Sequence, residues 1–236
     1  AAVRQGAKEG TLFDVATDSR FVSTLLADLR KASVLIEGDY QVHFRPTERL
    51  RTIAEEPIES VRAVETEQSN STALVDDSYV VKIYRKLENG LNPEIEIGRF
   101  LTDIAGFANT PALLGSIELK GPDTESAVAI IHAFVENQGD PWSLTSSALD
   151  RFVEGESFVG TADTTPANDE KSAYQRYMMQ TGRRVGEMQM ALASRDDIED
   201  FRPVPAAQED LERWIDSLLN RSGRAFARLD NTRVNP

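Results

Sequence analysis

Residues 67–86 read EQSNSTALVDDSYVVKIYRK. Short apolar runs flank Asp76-Asp77-Ser78, a pattern that predicts two antiparallel strands joined by a tight polar turn. In the second strand, alternation puts Tyr79, Val81 and Ile83 on one face and Val80, Lys82 and Tyr84 on the other. A lysine inside an apolar strand can lay its stem along its neighbours and carry its tip to water at a sheet edge. If the tip is partly buried, it needs an anionic partner.

Working outward, VRAVE (61–65) predicts a preceding strand. Downstream, Asn92 is a cap residue, Pro93 fits a first helical position, and Glu94 and Glu96 fall in the first turn. Ile97, Phe100, Leu101 and Ile104 supply that helix's apolar stripe. ALLGSIEL (112–119) and SAVAIIHAFV (126–135) read as two further strands. The order over residues 61–136 is therefore β-β-β-α-β-β. Residues 1–60 form a smaller α+β pattern. TLFDV (Thr11–Val15), SVLIE and YQVHF are strands, with Gly38-Asp39 a hairpin signal between the last two. Phe21, Leu25, Leu26 and Leu29 lie at helical spacing behind a Thr17 or Asp18 cap, which predicts a curved sheet over one helix. Arg45 to Glu59 is polar, holds two prolines and reads as a connector.

After NQGDPW the character turns helical. Ser143 to Val153 is one helix, and residues 155–171, small and Gly/Pro-punctuated, read as a mobile loop. Two long amphipathic helices follow. Their expected core faces are Tyr177, Met178, Val185, Met188 and Leu192, and then Leu211, Trp214, Ile215, Leu218 and Phe226.

The chain has 236 residues, 40% hydrophobic and 28% charged, which is enough apolar material for a real core. Its net charge of −13 disfavours nucleic-acid and anionic-membrane binding, since phosphate neutralisation needs clustered Lys and Arg. No apolar run approaches the roughly 18–20 residues of a membrane span. Cysteine is absent, which removes disulfides, thiolate metal sites and cysteine nucleophiles. The two histidines, His43 and His132, sit far apart in separate β-like runs, a poor basis for a metal pair. The opening AAVRQGAKEG carries neither an initiator Met nor an apolar signal segment, as expected of a piece cut from a longer protein.

Lys82 has two acidic candidates on the following helix, Glu94 and Glu96. An ion pair with either would steady the ammonium for phosphate oxygens, as a strand lysine and helix glutamate do in protein kinases. The turn Gln68-Ser69-Asn70-Ser71-Thr72 is rich in groups that hold phosphate but contains no glycine, so it is neither a P-loop nor a glycine-rich loop. On spacing alone, a solvated surface pair is the commoner meaning of such a lysine and glutamate.

The string VETEQSNSTALVDDSYVVKIYRKLENGLNPEIEIGRFLT, followed by ANTPALLGSIEL, resembles the amino-terminal lobe of bacterial maltokinases, nearest to the kinase half of fused trehalose synthase–maltokinase proteins. The EQSN(S/T)-strand-Lys-strand-NPxxE arrangement is particular to that family. HAFVENQGDPW is similar to its interlobe linker, and GRRVGEMQMALAS to an early helix of its second lobe, with Gln189 where the family tends to have histidine. The resemblance implies an α+β fold in three parts: a cap subdomain over 1–60, a protein-kinase-like nucleotide-binding lobe over 61–138, and the start of a helical second lobe over 139–236. It implies ATP-dependent phosphorylation of maltose to maltose 1-phosphate in the cytoplasm, with ATP and Mg²⁺ as cofactors and an upstream trehalose synthase domain as a partner on the same polypeptide. By position, Lys82 would contact the α/β-phosphates, with Glu96 as helix partner and Glu94 as second choice. Ser69, Asn70, Ser71 and Thr72 would cover the phosphates. The backbone of Phe134, Val135 and Glu136 would bond the adenine edge under a roof that includes Val80.

Kinases of this fold also need an aspartate for the acceptor hydroxyl and metal-holding Asn and Asp residues. No His-Gly-Asp occurs here, and Asp200-Phe201-Arg202 has no catalytic loop before it. The resemblance therefore implies catalytic and metal residues beyond Pro236 and an inactive fragment. Two alternatives stand: a non-catalytic kinase-like interaction module, and another small-molecule kinase of the aminoglycoside-phosphotransferase-like fold.

Overall fold

The computed structural model describes residues 2–11, 15, 18–64, 70–157 and 166–233. They fall into two compact units, residues 1–192 and 193–236. No helix among the described residues is long and apolar enough to cross a membrane.

In the first unit, β1 (Ala2–Gln5) and β2 (Lys8–Thr11) form an antiparallel hairpin. Thr11 thus closes a strand instead of opening one, and residues 12–14 of the expected TLFDV strand lie outside the described residues. Helix α1 (Ser19–Arg30) starts where Asp18 accepts from the N–H groups of Arg20 and Phe21, both at 3.0 Å. Thr17, the other expected cap, lies outside the described residues. The helix buries Val22, Leu26 and Leu29. Strands β3 (Val34–Glu37) and β4 (Tyr40–Pro46) form the expected hairpin.

The region between Arg45 and Glu59 is more than a connector. Arg45 and Pro46 extend β4, and α2 (Glu48–Arg51) follows with Thr47 and Leu50 each only 1% exposed. Thr47 tolerates that burial by donating its hydroxyl to the carbonyls of Leu113 and Leu114 at 2.8 and 3.0 Å. Polarity hid this segment's role, because the packing falls to a satisfied threonine, Leu50 and the scattered Ile53 and Ile58.

Strands β5 (Val61–Val64), β6 (Asn70–Val75) and β7 (Tyr79–Tyr84) come next, then α3 (Pro93–Arg99), which runs into a π turn at Phe100–Ile104. Strands β8 (Leu113–Gly121) and β9 (Thr124–Ala133) complete the order read from the sequence. Asp76 and Asp77 turn the chain between β6 and β7 at φ of 48° and 49°, a region that Asp tolerates. The Asp76 carboxylate accepts from the N–H groups of Glu59 and Ser60 and so ties down the entry to β5.

One antiparallel sheet, ordered β3-β4-β8-β9-β7-β6-β5, contains every strand after β2. The separate curved sheet expected within residues 1–60 is thereby corrected: β4 pairs with β8 from Gln41↔Lys120 to Pro46↔Gly115. Such long-range pairing leaves no local mark in either strand. One face of the sheet carries Val75, Val81, Leu114, Ile117 and Ile131 against α1. The other carries Leu113, Ala127 and Ile130 against Ile95 of α3.

Helices α4 (Pro141–Ser157) and α5 (Pro166–Leu192) follow. They claim both ends of the expected mobile loop 155–171, while 158–165 lie outside the described residues. Pro166 opens α5 at a position where a missing N–H costs nothing. Of the expected core face on α5, Tyr177 and Val185 are exposed.

The second unit holds a short 3₁₀ turn, Glu199–Phe201, and α6 (Gln208–Arg233). The acidic IEDF segment forms that turn. The stripe on α6 has the expected helical spacing but is not core: Leu211, Trp214, Ile215, Leu218 and Phe226 are all exposed, Leu218 and Phe226 at 65% each. An amphipathic stripe says that a face requires cover, not that neighbouring sequence supplies it.

Candidate functional site

Cross-strand register builds the site. Thr72 on β6 pairs with Lys82 on β7, which pairs with Ile130 on β9. One pleat away, Leu74 pairs with Val80 and Val80 with His132. Directly opposed residues share a face, so all six side chains lie on the α3 side of the sheet. The alternation read from the sequence is therefore the one observed.

Lys82 Nζ lies 3.2 Å from Glu94 Oε2 and 5.5 Å from the centre of the Tyr84 ring. The Tyr84 hydroxyl donates to the same Glu94 oxygen at 2.7 Å. The Lys82 side chain is 21% exposed and that of Glu94 41%, so the ammonium is the better shielded partner. A pair this open adds only about 0–1 kcal/mol of stability. Its effect is positional: it fixes an ammonium that has three donors.

Glu94, the second choice, is the helix partner, and Glu96 is not. Asn92 caps α3 by accepting from the N–H groups of Glu94 and Ile95 at 2.9 and 3.4 Å. Ile95 then points into the sheet. Residues two positions apart on an α-helix point about 200° from one another, so Glu94 and Glu96 cannot both address Lys82. The NPEIE string leaves that choice open; the cap and the buried isoleucine make it.

The other expected residues divide. Thr72 stands beside Lys82, and its Oγ1 is buried without a hydrogen-bond partner. Asn70, opposite Tyr84, belongs to the same face. Ser71 belongs to the other: it is buried, pairs with Ile83 and accepts from Arg85 Nε at 2.9 Å. Gln68 and Ser69 lie outside the described residues. Val80 sits one pleat from Lys82. The N–H of Phe134 donates to the Ser78 carbonyl at 2.8 Å, so of the linker backbone it is already engaged. Val135 is exposed, and its carbonyl accepts from Asn137 Nδ2 at 3.1 Å; Glu136 is exposed too.

Sequence reading missed His132 and the role of Tyr84. Burial lowers the pKa of His132, with Glu94 pulling it up and Lys82 pushing it down, so the imidazole stands beside the pair in its neutral form. Alternation through β7 already put Tyr84 with Lys82 and was the available signal for it. Nothing local marks His132, because the β7–β9 register places it. Among the described residues no three His, Asp or Glu side chains converge as a metal site requires. A cleft of about 290 Å³ opens on the opposite face, between α1, Glu55–Ile58 and Tyr79. Its one cation, Arg30, is engaged by the Ile53 and Ala54 carbonyls and the Tyr79 hydroxyl.

No family model matches the chain. Among solved structures, the fold is similar to a glucosamine kinase in complex with glucosamine, ADP and inorganic phosphate, with a TM-score of 0.54 and 18% identity over 90% of this chain. Two further glucosamine kinase crystal forms give TM-scores of 0.53 and 0.52 at the same identity, over 90% and 82% of this chain. This chain spans 43% of the length of the first of them and 42% and 39% of the others. The mixed helix-and-sheet architecture of this chain is thus similar to part of the fold of those structures.

Proposed function

We propose that residues 61–138 form the nucleotide-binding lobe of an ATP-dependent sugar kinase, that residues 1–60 are its cap, and that the acceptor sugar is maltose. The observation that carries the nucleotide reading is the Lys82–Glu94 pair beside the partnerless Thr72 hydroxyl. A shielded ammonium with spare donors next to an unsatisfied buried donor suits phosphate oxygens, and an orphaned buried hydroxyl is costly unless something binds it. The structural similarity to a kinase described with ADP supports the same reading.

ATP would supply the phosphoryl group. Lys82 and Thr72 would hold its phosphates, Glu94 and Tyr84 would keep the Lys82 amine in place, and Val80 and Leu74 would form the apolar roof over the base. Among the described residues no cluster of carboxylates is placed to hold Mg²⁺. Phosphoryl transfer belongs to the whole protein, of which this chain holds no His-Gly-Asp loop. Maltose rests on the EQSN and NPEIE strings and on the resemblance they carry.

The test uses the parent reading frame. Purified enzyme with ATP is offered maltose, glucosamine and glucose, and the product is read by phosphorus NMR. Maltose 1-phosphate is expected, with a rate lowered at least about a hundredfold in Lys82→Ala, the scale of losing one preorganised charge-stabilising donor. Phosphorylation of glucosamine in preference would overturn the acceptor. An unchanged rate in Lys82→Ala would remove the site.

A further inference from the structure

The row that holds Thr72, Lys82 and Ile130 continues through Ser116 on β8 to Arg45 on β4. Helix α3 lies over this row with Glu94 near one end and Arg99 near the other. Five residues of helix rise about 7.5 Å and the two strand spacings from Lys82 to Ser116 cover about 9.6 Å, so the two side chains reach both ends of that span. The Arg99 guanidinium donates to the Arg45 carbonyl at 2.7 Å and to Ser116 Oγ at 3.0 Å, with a longer contact to the Pro46 carbonyl at 3.5 Å. Ser116 is fully buried and donates its hydroxyl proton to Glu118 at 2.6 Å, and Glu118 closes the network on Arg45 at 3.1 Å.

Two features make this tie tight. Gly98 sits against Leu113, where even a Cβ would come within 3.2 Å, so α3 lies flat on β8. Beyond Arg99, the π turn brings Asp103 to α2. Burial raises the Asp103 pKa, and Arg99 and the backbone N–H groups of Glu48 and Arg49 pull it back. Both anchors, β4 and α2, come from the segment before β5.

We infer that Arg99 is a positioning residue for the Lys82–Glu94 pair, and that the amino-terminal segment through β4 is the fixed point that holds α3 over the site. The segment thereby has a role in ordering the phosphate end of the site without touching it. The inference rests on the nucleotide reading for its meaning, though the coupling itself can be measured without nucleotide.

The experiment is competitive acetylation of the full 236-residue chain, with the extent at each lysine read by mass spectrometry. Lys82 labelling should rise several-fold in Glu94→Gln. It should rise towards the same level in Arg99→Ala, return towards the starting value in Arg99→Lys, and rise no further in the Arg99→Ala/Glu94→Gln double variant. Lys86 and Lys120 serve as references that should not move. A folded Arg99→Ala chain with unchanged Lys82 labelling overturns the inference, as does an additive double variant. If the variants do not fold, native-state hydrogen exchange of the unaltered chain decides: α3 and β4 amides opening in one step support the coupling, and α3 opening over a closed β4 overturns it. Absence of Mg–ADP binding alongside intact coupling would instead sink the nucleotide reading alone.

Discussion

The two faces of the seven-stranded sheet are built on opposite terms. Towards α1, Val75, Val81, Leu114, Ile117 and Ile131 close on Val22, Leu26 and Leu29 with no charged side chain among them. Towards α3, a cluster of only four buried residues is bordered by Lys82, Glu94, His132 and a hydroxyl with no partner. Adjacent residues of one strand serve both: Val81 seals the first face and Lys82 addresses the second. Polar groups at half-buried positions reduce stability unless paired, so on the nucleotide reading proposed above the Lys82 ammonium and the Thr72 hydroxyl are where a ligand would complete the pairing.

The largest effect that sharpens this contrast is on stability. Leu29→Ala removes a fully buried side chain from the α1 face and should cost about 2–5 kcal/mol in denaturant unfolding. Nucleotide affinity of the remaining folded fraction should stay as it was. A matching loss of affinity would mean that the two faces are not separate in function.

Next in size, Glu94→Gln should weaken Mg–ADP binding by about tenfold, the worth of a charge-assisted contact that is partly exposed, while Glu96→Gln leaves it unchanged. Calorimetry on the two variants decides the matter, and the reverse ranking would restore Glu96. Thr72→Val separates binding from stability. Replacing an unsatisfied buried hydroxyl by a methyl should stabilise the chain by up to about 1 kcal/mol and lower affinity several-fold. Loss of both together would show that the hydroxyl has a structural partner.

Much of the α3 face was legible because strands keep a period of two. Val80, Lys82 and Tyr84 could be placed together from YVVKIY alone, and the Asn92-Pro93 start of α3 could be read to the residue. What crosses between strands could not. The choice of Glu94 over Glu96 follows from where Ile95 packs, the location of Ser71 on the wrong face from its pairing with Ile83, and the arrival of His132 from the β7–β9 register. The joining of β4 to β8 brings together segments separated by α2, three strands and α3, and neither segment carries a sign of the other. On α6 the error runs the other way: the stripe was legible, but periodicity alone could not tell whether anything covers it.

The smallest effect tests whether His132 belongs to the site. In the folded chain burial holds its pKa below the ordinary imidazole value of about 6.5, so the fold favours the neutral ring. Above that pH both folded and unfolded chains carry the ring neutral, and its contribution is flat. As pH falls below it, the unfolded chain takes up the proton first, and stability declines until the folded pKa is passed. His132→Gln should flatten that part of the stability curve and leave the neutral-pH value nearly unchanged. Glu94→Gln should steepen it, because the carboxylate that pulls the imidazole pKa upward is gone while Lys82 still pushes it down. A wild-type curve already flat below pH 6.5 would place His132 in open solvent, away from Lys82 and Glu94.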